Sequence, residues 1–150
     1  MRQYLVVANQ TLGGDQLVEK LDTLLGGGEC SFHLVVPVTQ TEASSQWSPR
    51  AIDGVLPDAY KVARALSEAR LDHEMTRLRE AGAEVSGEVV DAVPVEHVTK
   101  LAQGGTYDEV IVSTLPRRLS RWLVLDIPHR IERAINQPVH HVVGSPGPSL

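Results

Sequence analysis

Between residues 3 and 143 the chain alternates short apolar, β-branched runs with longer stretches whose apolar residues recur every three or four positions. Such an alternation folds as a parallel sheet covered by helices on both faces, because right-handed crossovers place successive helices there. Leu5-Val6-Val7-Ala8 within residues 3–9 reads as a buried strand. Leu17, Leu21, Leu24 and Leu25 then share one helical face between Gly13-Gly14 and Gly26-Gly27-Gly28. Residues 31–38 form the second strand. Pro57 opens the longest helix, whose inward stripe is Ala59, Val62, Ala63, Leu66, Ala69, His73 and Leu78, and Gly82 ends it. Residues 84–90 form the third strand, and a short helix runs from Pro94 to Gly104-Gly105. The fourth strand is 108–113. A last helix, 127–135, takes Asp126 as N-cap and turns Ile131, Ala134 and Ile135 inward, and 138–143 is the fifth strand.

At 150 residues this is one core. The domain spans 1–143, and the Gly- and Pro-rich 144–150 is expected as a disordered tail. Residues 39–56 show neither period and are long for a connection, which predicts a functional or mobile loop that Trp47 could pin. The longest apolar runs are far shorter than the ~20 residues of a membrane span. No signal-cleavage pattern follows the first strand, so the expected address is cytoplasmic and away from membranes. Cys30 is the one cysteine, which excludes an intramolecular disulfide and suits a reducing compartment.

A net charge of −5 argues against nucleic acid as a partner. Its distribution says more. Between Ser113 and Arg133, Arg117, Arg118, Arg121, Arg130 and Arg133 outnumber Asp126 and Glu132, leaving a basic patch on an acidic protein. Parallel sheets bind ligands beyond the carboxyl ends of their strands, where the strand order reverses. The candidate positions are therefore Asn9, Gln10 and Thr11 after the first strand, Val38 and Val90 after the second and third, and Ser113 and Thr114 after the fourth. Asn9-Gln10-Thr11 either reads a ligand or caps the following helix. Arg117, Arg118 and Arg121 either clamp an anion or form a solvated loop.

The other chemistries lack their residues. Gly13-Gly14 is a turn rather than a dinucleotide fingerprint, because no Gly-x-Gly-x-x-Gly is present. The six histidines show no metal-ligand spacing, and His140 and His141 point to opposite faces of their strand. His33 and His73 read as parts of partly buried structural surfaces, and Asp126 and His129 as a pair at a helix start. No nucleophile elbow appears, so no reaction is assigned.

The order of elements, with Tyr107-Asp108-Glu109-Val110-Ile111-Val112-Ser113 and the closing Asn136-Gln137-Pro138-Val139, resembles the universal stress protein family over nearly the whole chain. The resemblance implies a Rossmann-like α/β fold with a five-stranded parallel sheet in the order 3-2-1-4-5, and a homodimer through the fifth strand. It also implies an adenine nucleotide, ATP or AMP, held through Gly-x2-Gly-x9-Gly-Ser/Thr after the fourth strand. Here those positions are Ser113, Pro116, Asp126 and Ile127. Pro116 has no N–H to offer a phosphate, and Asp126 would repel one. Where ATP-binding members carry Asp at the end of the first strand, this chain has Asn9. The expectation is a non-catalytic stress-response regulatory module that binds an adenine nucleotide or another phosphorylated anion weakly or no longer binds it. Its rivals are a ligand-free homodimeric interaction module using Trp122-Leu123-Val124-Leu125, which a filled crevice would favour, and an enzyme of the nucleotide α-hydrolase type.

Overall fold

The computed structural model describes residues 1–38, 58–91 and 94–148, apart from the side chains of Arg121 and Val124. The predicted loop 39–56 and Trp47 lie outside the described residues. Strand β1 (Arg2–Val7) leads to helix α1 (Asp15–Gly26), β2 (Cys30–Pro37), α2 (Asp58–Glu80), β3 (Glu84–Val90), α3 (Pro94–Gly104) and β4 (Glu109–Thr114). A four-residue helix α4 (Arg121–Val124), α5 (Ile127–Ala134) and β5 (Val139–Val143) complete the order.

All neighbouring strands are parallel, and the sheet order is β3-β2-β1-β4-β5. This is the Rossmann-like α/β architecture expected from the alternation. Being central, β1 buries both faces: Tyr4, Val6 and Ala8 pack toward α1 and α2 with Phe32, Leu34 and Ile111. Leu5 and Val7 pack toward α3 and α5 with Val35, Val110, Val112 and Ile131. Continuous apolar runs are what a doubly covered strand requires. Among the described residues no helix is long and apolar enough to cross a membrane.

Helix α2 departs from its expected face. Val62 is 54% exposed and His73 is exposed, whereas the buried side is Tyr60, Ala63, Ser67, Leu71, Glu74 and Leu78. Two polar residues go inward on that side, Ser67 to a partner distant in sequence and Glu74 to a cation one turn along the same helix, which periodicity of apolar residues does not reveal. The Ser67 hydroxyl donates to the Ala63 carbonyl at 2.9 Å and accepts from the Asn9 amide. Glu74 accepts from Arg77, which also reaches Asp22 Oδ1 at 2.9 Å.

His33 is half-buried, in keeping with the partly buried structural surface expected of it. Its Nε2 lies 2.7 Å from Glu88 Oε2 and its Nδ1 lies 2.8 Å from Ser86 Oγ. His97 approaches the other oxygen of Glu88 at 2.7 Å. Burial alone would push the Glu88 carboxyl up, but the His33 hydrogen bond and the neighbouring His97 outweigh it and hold it below its ordinary value.

Asp126 does stand at the start of α5, but in the left-handed region, with φ 56° and no side-chain cap bond. Its carboxylate instead meets His129 Nδ1 at 3.3 Å and Arg133 at 3.6 Å. Ala134 is exposed rather than inward.

The segment 144–148, expected as part of a disordered tail, is fixed by hydrogen bonds. The Gly144 N–H donates to the Thr114 carbonyl at 2.9 Å, and the Gly147 N–H donates to the Gln10 carbonyl at 2.8 Å. Between them the Ser145 N–H and hydroxyl both donate to Gln16 Oε1, at 2.8 and 2.9 Å. Glycine and proline predicted mobility here. They instead allow a flat, close crossing over the first loop.

Candidate functional site

Strand order reverses between β1 and β4, so the chain leaves these neighbouring strands toward opposite faces and opens a crevice at their carboxyl ends. Five of the predicted residues line it: Asn9, Gln10, Thr11, Ser113 and Thr114. Leu115, Ser120 and Trp122 complete the wall. Trp122 belongs to the run expected to serve protein contacts, Ser120 to a short Arg-Arg-x-Ser pattern that carries little weight, and Leu115 has no role expected from the sequence. Ser120 carried a usable signal, since it stands where an N-cap would and its hydroxyl accepts the Leu123 N–H at 3.3 Å.

The polar groups of the crevice are largely engaged within the fold. Thr11 Oγ1 and Ser113 Oγ are 2.6 Å apart and bridge the two strand ends. Thr114 Oγ1 lies 2.7 Å from His141 Nε2. Burial, reinforced by His129, lowers the His141 pKa, so the neutral ring can accept the threonine proton through Nε2. Asn9 is 2% exposed. Its amide nitrogen donates to the Pro37 carbonyl at 2.6 Å and to Ser67 Oγ at 2.9 Å, and its oxygen accepts from Arg70 at 2.9 Å. Asn9 thus joins β1, the end of β2 and α2, and its inward-turned amide is not presented to a ligand. The free volume left is about 20 Å³, close to the need of a single water and far below that of a nucleotide.

The remaining predicted positions are elsewhere. The Val38 N–H donates to the Val90 carbonyl at 2.8 Å, and the Val38 side chain packs with Tyr60 and Ala63. That pair extends the β2–β3 ladder and does not line the crevice. Arg117 and Arg118 are exposed on the turn after β4. Arg117 borders a separate cleft of about 290 Å³ with Asp126, His129, Glu132 and His141. The Arg121 backbone opens α4, and its side chain lies outside the described residues. Among the described residues no group of three or more His, Cys, Asp or Glu side chains is placed to hold a metal ion.

Among the described residues the arrangement offers hydroxyl groups and, beside Thr114, a neutral imidazole. Pro116 interrupts the backbone N–H groups that a phosphate would need after β4.

No protein-family description matches the chain, and no curated protein matches it. Solved structures do. The hypothetical protein MJ0577, the subject of a structure-based assignment of biochemical function, is 15% identical, with a TM-score of 0.63 over 94% of each chain. A universal stress protein crystallised in complex with cAMP is 19% identical, with a TM-score of 0.55 over 96% of this chain and 98% of that one. The chain is similar to both in fold.

Proposed function

We propose that the chain is a non-catalytic regulatory module of the universal stress protein type, acting in the cytoplasm, whose β1–β4 crevice takes an adenine nucleotide or another phosphorylated anion weakly. The observation that carries this reading is the crevice itself. It stands at the switch point of a 3-2-1-4-5 sheet and is lined by Thr11, Ser113, Thr114 and Ser120 hydroxyls, yet is closed to about 20 Å³. The likeness in fold to a universal stress protein that binds cAMP supports a nucleotide as the ligand class. Charge for the phosphates comes from Arg117, Arg118 and Arg121, since Ser113, Pro116 and Asp126 provide no glycine nest.

Calorimetry with ATP is expected to show a dissociation constant weaker than about 1 μM, corresponding to less than ~8 kcal/mol of binding free energy. The thermal stabilisation that ATP gives should vanish when the three arginines are replaced by Gln, because it arises only from binding to the folded state. Sub-micromolar affinity, or stabilisation that survives the triple replacement, would move the anion site away from this loop.

The closed crevice favours a second reading, a ligand-free module that acts through its surface. Leu119 (56% exposed), Leu125 (39%) and Val143 (49%) are apolar residues open to solvent on β5 and the segment before α5. Both readings share a homodimer through β5, an edge strand whose outer hydrogen-bonding groups need a partner or cover. Val143→Lys places two like charges near the expected two-fold contact and should convert the dimer to monomer in light scattering. An unchanged dimer mass with the fold intact would move the interface off β5.

A further inference from the structure

We infer that residues 144–148 are a displaceable strap that closes the β1–β4 crevice, so that ligand binding and strap seating exclude one another. This rests on the crevice being the ligand site proposed above. Leaving β5, the strap crosses the carboxyl ends of β4 and β1. Its first anchor is the Thr114 carbonyl and its last is the Gln10 carbonyl, both from residues that line the crevice. Gln16, in the first turn of α1, holds Ser145 between them.

The fit is close enough to depend on missing side chains. A Cβ on Gly147 would fall 1.7 Å from the Leu12 carbonyl oxygen, and one on Gly14 would fall 2.2 Å from the Ser145 carbonyl oxygen. Strap and loop are therefore shaped to each other across their backbones. The strap occupies the space outside the first strand and before the first helix, where an anionic ligand of such a sheet would meet backbone N–H groups. Its anchors are three backbone or side-chain acceptors at the edge of the fold, a set that local opening can release without unfolding the sheet. A ligand that binds only the open form has its apparent affinity reduced by the fraction of open molecules.

The test uses the full chain as wild type, Gly147→Val and Gln16→Ala. The first removes the fit and the second the middle anchor, and Gln16 is exposed, so at least one should fold normally. Amide exchange at positions 144, 145 and 147 should be at least tenfold faster in both variants. In a Trp47→Phe background, acrylamide should quench Trp122 more strongly in the variants, because Trp122 lines the crevice that release of the strap would open. ATP should bind the variants at least tenfold more tightly than wild type and should speed exchange of the wild-type strap amides. Strap amides that exchange in wild type at the rate of an unstructured peptide would overturn the strap. So would equal ATP affinity in all three proteins, which would leave the nucleotide reading intact. If Trp122 becomes more accessible in the variants while none of the three binds ATP at millimolar concentration, the strap closes the crevice as inferred and the nucleotide reading fails.

Discussion

Arg77→Ala is expected to destabilise the fold by about 3–5 kcal/mol, the cost of leaving a buried charge without its partner. Glu74 is 1% exposed in the middle of α2, and Arg77 one turn further on is the cation that meets it. Burial disfavours the charge on Arg77, but its hydrogen bonds to Asp22 and Glu74 outweigh that and keep its pKa raised. Among the described residues Glu74 Oε2 and Arg77 Nη2 still have no hydrogen-bond partner, so the pair carries a desolvation penalty even when intact. Glu74→Leu should accordingly be close to neutral or stabilising, because Arg77 keeps Asp22 and an apolar side chain fills the site. Urea unfolding of both variants at pH 7 measures the contrast. A loss below about 1 kcal/mol for Arg77→Ala would show that water reaches Glu74 in solution.

Asn9→Asp should lower stability by roughly 1–3 kcal/mol at neutral pH, the range for leaving a buried polar group without its hydrogen bond, and should leave ATP affinity unimproved. The substitution introduces the Asp that the resemblance to ATP-binding universal stress proteins would place at the end of the first strand. Here, however, the position needs a donor: the amide nitrogen of Asn9 faces the Pro37 carbonyl at 2.6 Å. A carboxylate oxygen placed there would confront another acceptor. Asn9→Ala should cost a similar amount, because the Pro37 carbonyl and the Ser67 hydroxyl each lose the same partner. Thermal unfolding and ATP calorimetry on the two variants check both effects. An Asp variant that is as stable as wild type and binds ATP more tightly would show that Asn9 faces a ligand rather than the fold.

Segments were legible in the sequence wherever strong breakers bound a strong pattern. Strand β3 and helix α3 lie between Gly82 and Gly105, with Pro94 at the helix start, and their ends match expectation. The crevice was legible for a topological reason, since the switch point follows from the strand order and Asn9, Gln10, Thr11, Ser113 and Thr114 all fall there. Roles were harder to read than places. Asn9 has the chemistry of a ligand contact, and only the approach of Pro37, Ser67 and Arg70 shows that its amide is already engaged. The rotation of α2 was hidden because Ser67 goes inward to Asn9, beyond another element, and Glu74 to a cation one turn along its own helix. The ordered strap is not legible because its composition matches that of a free tail, and two of its three acceptors, the Gln10 carbonyl and Gln16 Oε1, lie more than a hundred residues earlier in the chain.

The central position of β1 also dictates the order in which the molecule can be built. Tyr4 pairs with Phe32 on one side and with Glu109 on the other, so β1 completes its pairing only when β4 has emerged. Until then the β1–β2–β3 half exposes an apolar face and a bare central edge, the kind of surface on which unfinished chains associate. Closing that edge requires a contact of long sequence separation, which slows folding. The seating of 144–148 on residues 10–16 needs both halves of the sheet in place, because the strap leaves β5, is held first by the Thr114 carbonyl at the end of β4 and ends on the Gln10 carbonyl beyond β1.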